Sequence, residues 1–163
     1  MISFDTAANI VATGIGATLI MDVFAFAQKR LLGIPSLDYR LVGRWLICTM
    51  NGQFRHDTIL QTPPRPFERS VGWVVHYAIG VIFLIALLAV VGLAWLDEPR
   101  LWPALAAGLV SVLAPFAIMQ PALGFGFAAS KTPSPLLARM KSVVTHLSYG
   151  LGLYLTASLL VAL

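Results

Sequence analysis

Asp22, His76, Gln120 and His146 each interrupt a long uncharged stretch of an otherwise apolar chain. A carboxylate and two imidazoles can take up and release protons near neutrality, and the same groups can ligate a borderline metal ion. Two histidines on different helices could also be the axial ligands of a b-type haem. Tyr149 joins these as a ligand- or proton-binding candidate. A second group lies in one connecting segment, where Arg44, Arg55-His56-Asp57 and Glu68-Arg69 concentrate charge. His56-Asp57 has the composition of an acid–base pair, yet no nucleophile is recognisable beside it, and a solvated loop accounts for it better. No phosphate-cradling glycine loop, G-x-S-x-G or H-E-x-x-H is present, so an enzyme is the least supported class.

The elements that position these residues must be membrane helices. The chain has 163 residues, 58% hydrophobic and only 11% charged, whereas soluble domains carry about 25% charged residues. Four runs approach the roughly 20 apolar residues that cross a hydrocarbon core: residues 7–27, 70–96, 103–127 and 142–163. None alternates as a barrel strand would. The expected fold is a single all-α domain, a four-transmembrane-helix bundle. The first run lacks a preceding basic stretch and a cleavage site, so it reads as a span rather than a leader. Cys48 is the single cysteine, which excludes an internal disulfide.

Connections 28–69 and 128–141 hold ten Lys and Arg against one, Arg100, in the connection on the other side. The positive-inside rule makes the first and third connections cytoplasmic and puts both termini on the far side. The net charge of +4 therefore reports topology. Basic residues are not interleaved with aromatic ones, so nucleic acid is not an expected partner.

Depth links the four polar residues. At 1.5 Å per residue, Asp22 and Gln120 fall ~22 and ~25 Å below the outer boundary. His76 and His146 fall ~9 and ~6 Å above the inner one, so all four share one layer near the cytoplasmic face. They form either a binding or proton-handling site or a structural network joining the helices. Pro115 and Pro121 should each release a helix carbonyl there. Met21 and Met119 read as core filler rather than metal ligands.

A weak internal repeat points the same way. Residues 72–83 set against 142–153 align His76 with His146, and residues 16–22 set against 114–120 align Asp22 with Gln120. The chain then resembles two helical hairpins. The first carries an extra segment in which Leu37, Leu41, Trp45 and Cys48 recur at helical spacing, with Arg40 and Arg44 on another face. That segment is expected to be an amphipathic helix on the inner leaflet, with a lid over the site as the alternative. Ala12-x-x-x-Gly16, Gly14-x-x-x-Thr18 and Ala104-x-x-x-Gly108 permit close helix approach.

From Gly14-Ile-Gly16-Ala-Thr18 through Met21-Asp22, Gly43-Arg44-Trp45, Arg55-His56-Asp57, Glu68-Arg69, Gly72-Trp73, His76-Tyr77, Met119-Gln120-Pro121, Thr132-Pro133-Ser134-Pro135, His146 and Tyr149-Gly150, the chain resembles a bacterial family of small four-span membrane proteins of unknown function. The resemblance implies the bacterial inner membrane and carries no activity.

Three functions compete. In the first, Asp22, His76 and His146 serve a proton- or cation-linked transporter or channel component; four spans are few for that task, so a homodimer is expected. The second is a haem- or divalent-metal-binding protein through His76 and His146, although no cofactor at all is the leading expectation. The third is a membrane scaffold whose cytoplasmic charges form the interaction surface. Besides the lipid bilayer, the partner is an unidentified ion or small molecule.

Overall fold

A computed structural model describes residues 3–163, among which there are helices and turns but no strands. Helix α1 spans Phe4–Leu32, α2 Tyr39–Met50, α3 Glu68–Val91, α4 Leu101–Ala122 and α5 Pro135–Val161. All but α2 are long and apolar enough to cross a membrane. Only 22–33% of each span's apolar window is buried within the protein. Leu19, Val74, Ile82, Val110 and Leu159 are among the large side chains left exposed, a surface that suits lipid and not water. The fold is that of an all-α, multi-pass membrane protein.

Local chemistry sets the helix ends. The Ser3 hydroxyl accepts from the Thr6 N–H and starts α1 ahead of the apolar run. Gly33, at φ 66°, ends it beyond Lys29 and Arg30 in the left-handed conformation that favours glycine. α3 stops at Val91 because Gly92 turns at φ 87°, and Leu93–Leu96 form a separate 3-10 turn. α4 ends at Ala122, short of residue 127, and α5 begins at Pro135, ahead of its apolar stretch.

Within α4 the prolines leave a wider coil instead of a simple kink. Pro115–Met119 are π-helical, and the Gln120 N–H reaches the carbonyl of Pro115, five residues back. Neither Pro115 nor Pro121 can donate to a carbonyl four residues earlier, and the wide turn accommodates that loss.

The chain divides into two compact units. The first contains the segment ending at Ser36 together with Tyr77–Ser111 and Val144–Leu163. Its helices meet through small residues, as the sequence pattern predicts. A Cβ at Gly14 would press on Val81 of α3, one at Gly16 on Thr156 of α5, and one at Gly108 on the α5 backbone at Gly150. The core between them includes Ala17, Met21, Leu84, Leu88, Ala104 and Leu153, so Met21 is filler as expected. Trp95 is buried in that core with its indole N–H on the Arg100 carbonyl, whereas Trp102 is exposed.

The second unit contains Leu37–His76 and Val112–Val143. Here α2 lies backbone to backbone on the first turns of α3, since a Cβ at Gly43 would collide with the Glu68 carbonyl and one at Gly72 with the Tyr39 carbonyl. Asp38 caps α2 through the Arg40 N–H and pairs with the Arg40 side chain. That contact holds the exposed Asp38 carboxyl below its ordinary range.

Gly72→Ala is expected to force α2 off α3, destabilising the fold by about 1–3 kcal/mol, the usual range for overpacking. Melting of the detergent-purified variant several degrees below wild type would show this; unchanged melting would refute the contact.

Candidate functional site

The first unit holds three of the five predicted membrane-site residues: Asp22, His146 and Tyr149. Asp22 Oδ2 accepts a hydrogen bond from the Tyr77 hydroxyl at 3.0 Å, joining α1 to α3. His146 Nδ1 lies 2.7 Å from Ser111 Oγ. The Ser111 hydroxyl donates at 2.7 Å to the Gly108 carbonyl. Having spent its one proton there, it accepts from the imidazole, so Nδ1 carries a proton. Tyr149 is buried and donates to the Gly80 carbonyl at 2.6 Å, tying α5 to α3. Tyr77 and Ser111 were not among the predicted residues, although Tyr77 directly follows His76.

His76 and Gln120 belong to the second unit. The His76 ring stacks on Tyr39 with centroids 4.0 Å apart, and Trp73 meets it edge-on at 5.9 Å. Gln120 is buried, and its Oε1 has no hydrogen-bond partner among the described residues. The five predicted residues thus divide three and two between the units. Among the described residues no group of three or more His, Cys, Asp and Glu is arranged to hold a metal ion.

The connecting segment departs most from expectation. Arg44, His56 and Glu68, read from sequence as cytoplasmic surface, are each 8% exposed and therefore buried. Nor does Arg44 face headgroups on an outer face of α2. Its Nε and Nη2 donate to the two Glu68 carboxylate oxygens at 2.8 and 3.0 Å. Nη1 donates to the carbonyls of Thr62 at 2.8 Å and Ile59 at 3.4 Å. Glu68 Oε2 also accepts from the Arg65 N–H at 2.9 Å, as the glutamate of a capping box does. Pairing with Glu68 raises the Arg44 guanidinium above its already high ordinary value. Burial is possible because each charge meets the other in a planar fork and the remaining donors find carbonyls. Arg55, Asp57 and Arg69 are exposed.

His56 is positioned by the end of α4. Its N–H donates to the Ala122 carbonyl at 2.9 Å, and the Ile59 N–H donates to that of Leu123 at 3.0 Å. Gly124, at φ 88°, follows; any Cβ there would collide with the Asp57 carbonyl. His56 Nδ1 lies 2.9 Å from Thr62 Oγ1 and 3.3 Å from Gln53 Nε2, whereas Nε2 is buried without a partner among the described residues. With the Gln53 amide donating to Nδ1, the ring proton sits on Nε2. A cleft of about 670 Å³ opens beside this loop, lined by His56, Asp57, Arg55, Arg65 and Lys131 among others. Lys131 and Arg65 were not predicted as site residues. Their only sequence signal is positive charge within the two basic connections.

A family model described as a protein of unknown function, DUF2938, matches residues 11–160. No curated protein and no solved structure matches the chain.

Removing one member of a buried ion pair strands the other charge, a loss of about 3 kcal/mol or more. Arg44→Ala and Glu68→Ala are each expected to lower stability by about that amount, with the double variant well short of their sum. Chemical denaturation of all four proteins in detergent measures the coupling, and additive losses would show that the pair does not act as a unit.

Proposed function

The chain belongs to the DUF2938 family, and from that premise we propose that it is a bacterial inner-membrane protein with a proton- or cation-linked role. Asp22 is its proton-accepting group. The observation that carries this reading is a carboxylate within the first span, hydrogen-bonded by the Tyr77 hydroxyl of α3. An ionised carboxylate is expensive in a hydrocarbon core, and such residues mark ion and proton pathways. The Tyr77 hydroxyl orients the carboxylate between α1 and α3. In the same unit His146 supplies a second titratable group, held in one tautomer by Ser111.

Charge placement supports connections 28–69 and 128–141 as cytoplasmic, with both termini outside. The repeat pairing His76 with His146 and Asp22 with Gln120 suits a pathway between two related hairpins, and a homodimer would supply the spans that one chain lacks.

Reconstituted wild-type protein is expected to dissipate an imposed pH gradient across liposomes. Asp22→Asn, which keeps an acceptor for Tyr77 but cannot ionise, should slow this at least about tenfold, equivalent to 1.4 kcal/mol or more. An entrapped pH dye reads the rate; equal rates in the two proteins would sink the role of Asp22.

Orientation has its own test. A phosphatase that folds only outside the cytoplasm should be active when fused after Leu163 and inactive when inserted after Gly52. The reverse pattern would invert the topology.

A further inference from the structure

The cleft beside His56 is lined by three cationic side chains, Arg55, Arg65 and Lys131, drawn from separate stretches of the second unit. All three residues are exposed, and none of their side chains has an ion pair or hydrogen bond among the described residues. The one carboxylate in the lining, Asp57, forms no salt bridge with any of them. Two positive charges are therefore in excess, in a cavity of about 670 Å³, within the range of small-molecule sites of roughly 300–1,000 Å³.

Unpaired cations on an open surface normally spread apart, because like charges repel. Here the backbone holds them around one hollow. Arg65 is anchored by its N–H on Glu68 and by the prolines on either side of it. Arg55 adjoins His56, whose N–H is fixed on the Ala122 carbonyl. The Lys131 N–H bonds the Phe125 carbonyl, and Gly126, at φ 75°, has no room for a side chain beside Ser130 and Lys131. Cations from three segments lining one cleft suit the recognition of a phosphate group. His56 contributes a buried ring to the same wall, with a proton on Nε2 that has no acceptor among the described residues.

We propose that this cleft binds a phosphate-bearing anion, with Arg55, Arg65 and Lys131 holding the phosphate oxygens and the Asp57 carboxylate accepting a hydroxyl of the same ligand. The phosphate can come from a free phosphate ester or from a phospholipid headgroup. Exposed Phe54 and Leu60 adjoin lining residues in sequence and offer apolar surface for acyl chains. The site is independent of Asp22 and of the proton reading.

The test uses the full chain in detergent and in lipid nanodiscs. Glycerol 3-phosphate is titrated by calorimetry in detergent. Nanodiscs of phosphatidylglycerol or phosphatidylcholine are compared by native mass spectrometry of retained lipid. The comparison protein is Arg55→Gln/Arg65→Gln/Lys131→Gln. Its altered side chains are exposed, and unchanged melting confirms its fold. Arg40→Gln removes a cation outside the cleft and serves as the control. Saturable binding of one equivalent is expected, weakened at least tenfold in the triple variant, unchanged in the control and reduced by added salt. Binding of glycerol 3-phosphate identifies a free phosphate ester as the source; retention of phosphatidylglycerol alone identifies the headgroup. Absence of both, or equal binding by wild type and triple variant, overturns the proposal. Should the triple variant melt early, Lys131→Gln alone is compared by the same readouts and must weaken binding at least about threefold.

Discussion

Much of the second unit depends on the buried pairing of Arg44 with Glu68. Taking two charges out of water loses more hydration than an imperfect contact returns, so such a pair persists only where geometry is good and further hydrogen bonds support it. Both conditions hold here. The guanidinium grips both carboxylate oxygens and donates through Nη1 to the Thr62 and Ile59 carbonyls, next to a proline-rich stretch with few backbone donors of its own. The carboxylate in turn fixes the Arg65 N–H at the start of α3, where a negative charge also suits the helix dipole. One ion pair thus ties α2, the 59–65 segment and α3 together. Phe67, at φ 62°, sits in the left-handed region beside it. That conformation carries strain of order 1–3 kcal/mol for a residue with a side chain, and it persists only where its surroundings over-determine it.

Backbone proximity works with the ion pair. Gly43 and Gly72 let α2 and α3 touch without side chains between them, which brings the Arg44 fork within reach of Glu68. The first unit uses the same device between membrane helices, where the hydrophobic effect offers little to drive association and close packing with interhelical hydrogen bonds must serve. Gly108 and Gly150 bring α4 against α5, and Tyr149 donates across to the Gly80 carbonyl. The polar groups of this unit are therefore not equivalent. Tyr149 has its proton committed to a carbonyl, whereas Asp22 accepts from a hydroxyl on α3.

The spans were legible because hydrocarbon thickness imposes a length that composition cannot disguise. α2 was legible from its 3.6-residue periodicity, and the close-packing seams from their spacing of small residues. The face assigned to Arg44 was not, because an arginine on an amphipathic helix has the same local pattern whether it meets headgroups or a glutamate 24 residues away. His56 looked like a solvated loop residue for a related reason: its burial comes from Ala122 and the Gly124 turn, far along the chain. Prolines at 115 and 121 announced a disturbed helix, but that the disturbance takes a π-helical form depends on how the coil rewinds around them. Tyr77 could have been found. It follows His76, and successive residues on a helix point about 100° apart, so each serves different neighbours.

Those differences share one physical root. Local sequence reports the medium a helix must sit in, because the whole length of a span lies in one hydrocarbon layer and the signal accumulates along it. Charge pairing in a connection is decided by a few long-range contacts whose members carry no common period. In this chain such pairing uses up Arg44 and Glu68 internally and leaves the side chains of Arg55, Arg65 and Lys131 without an ion pair or hydrogen bond among the described residues. An excess of lysine and arginine in a cytoplasmic connection is ordinarily read as topology alone. When one arginine of that excess is consumed by a buried carboxylate and three other cations are held around a single hollow, topology no longer accounts for their arrangement. The anionic occupant proposed for the cleft would account for it.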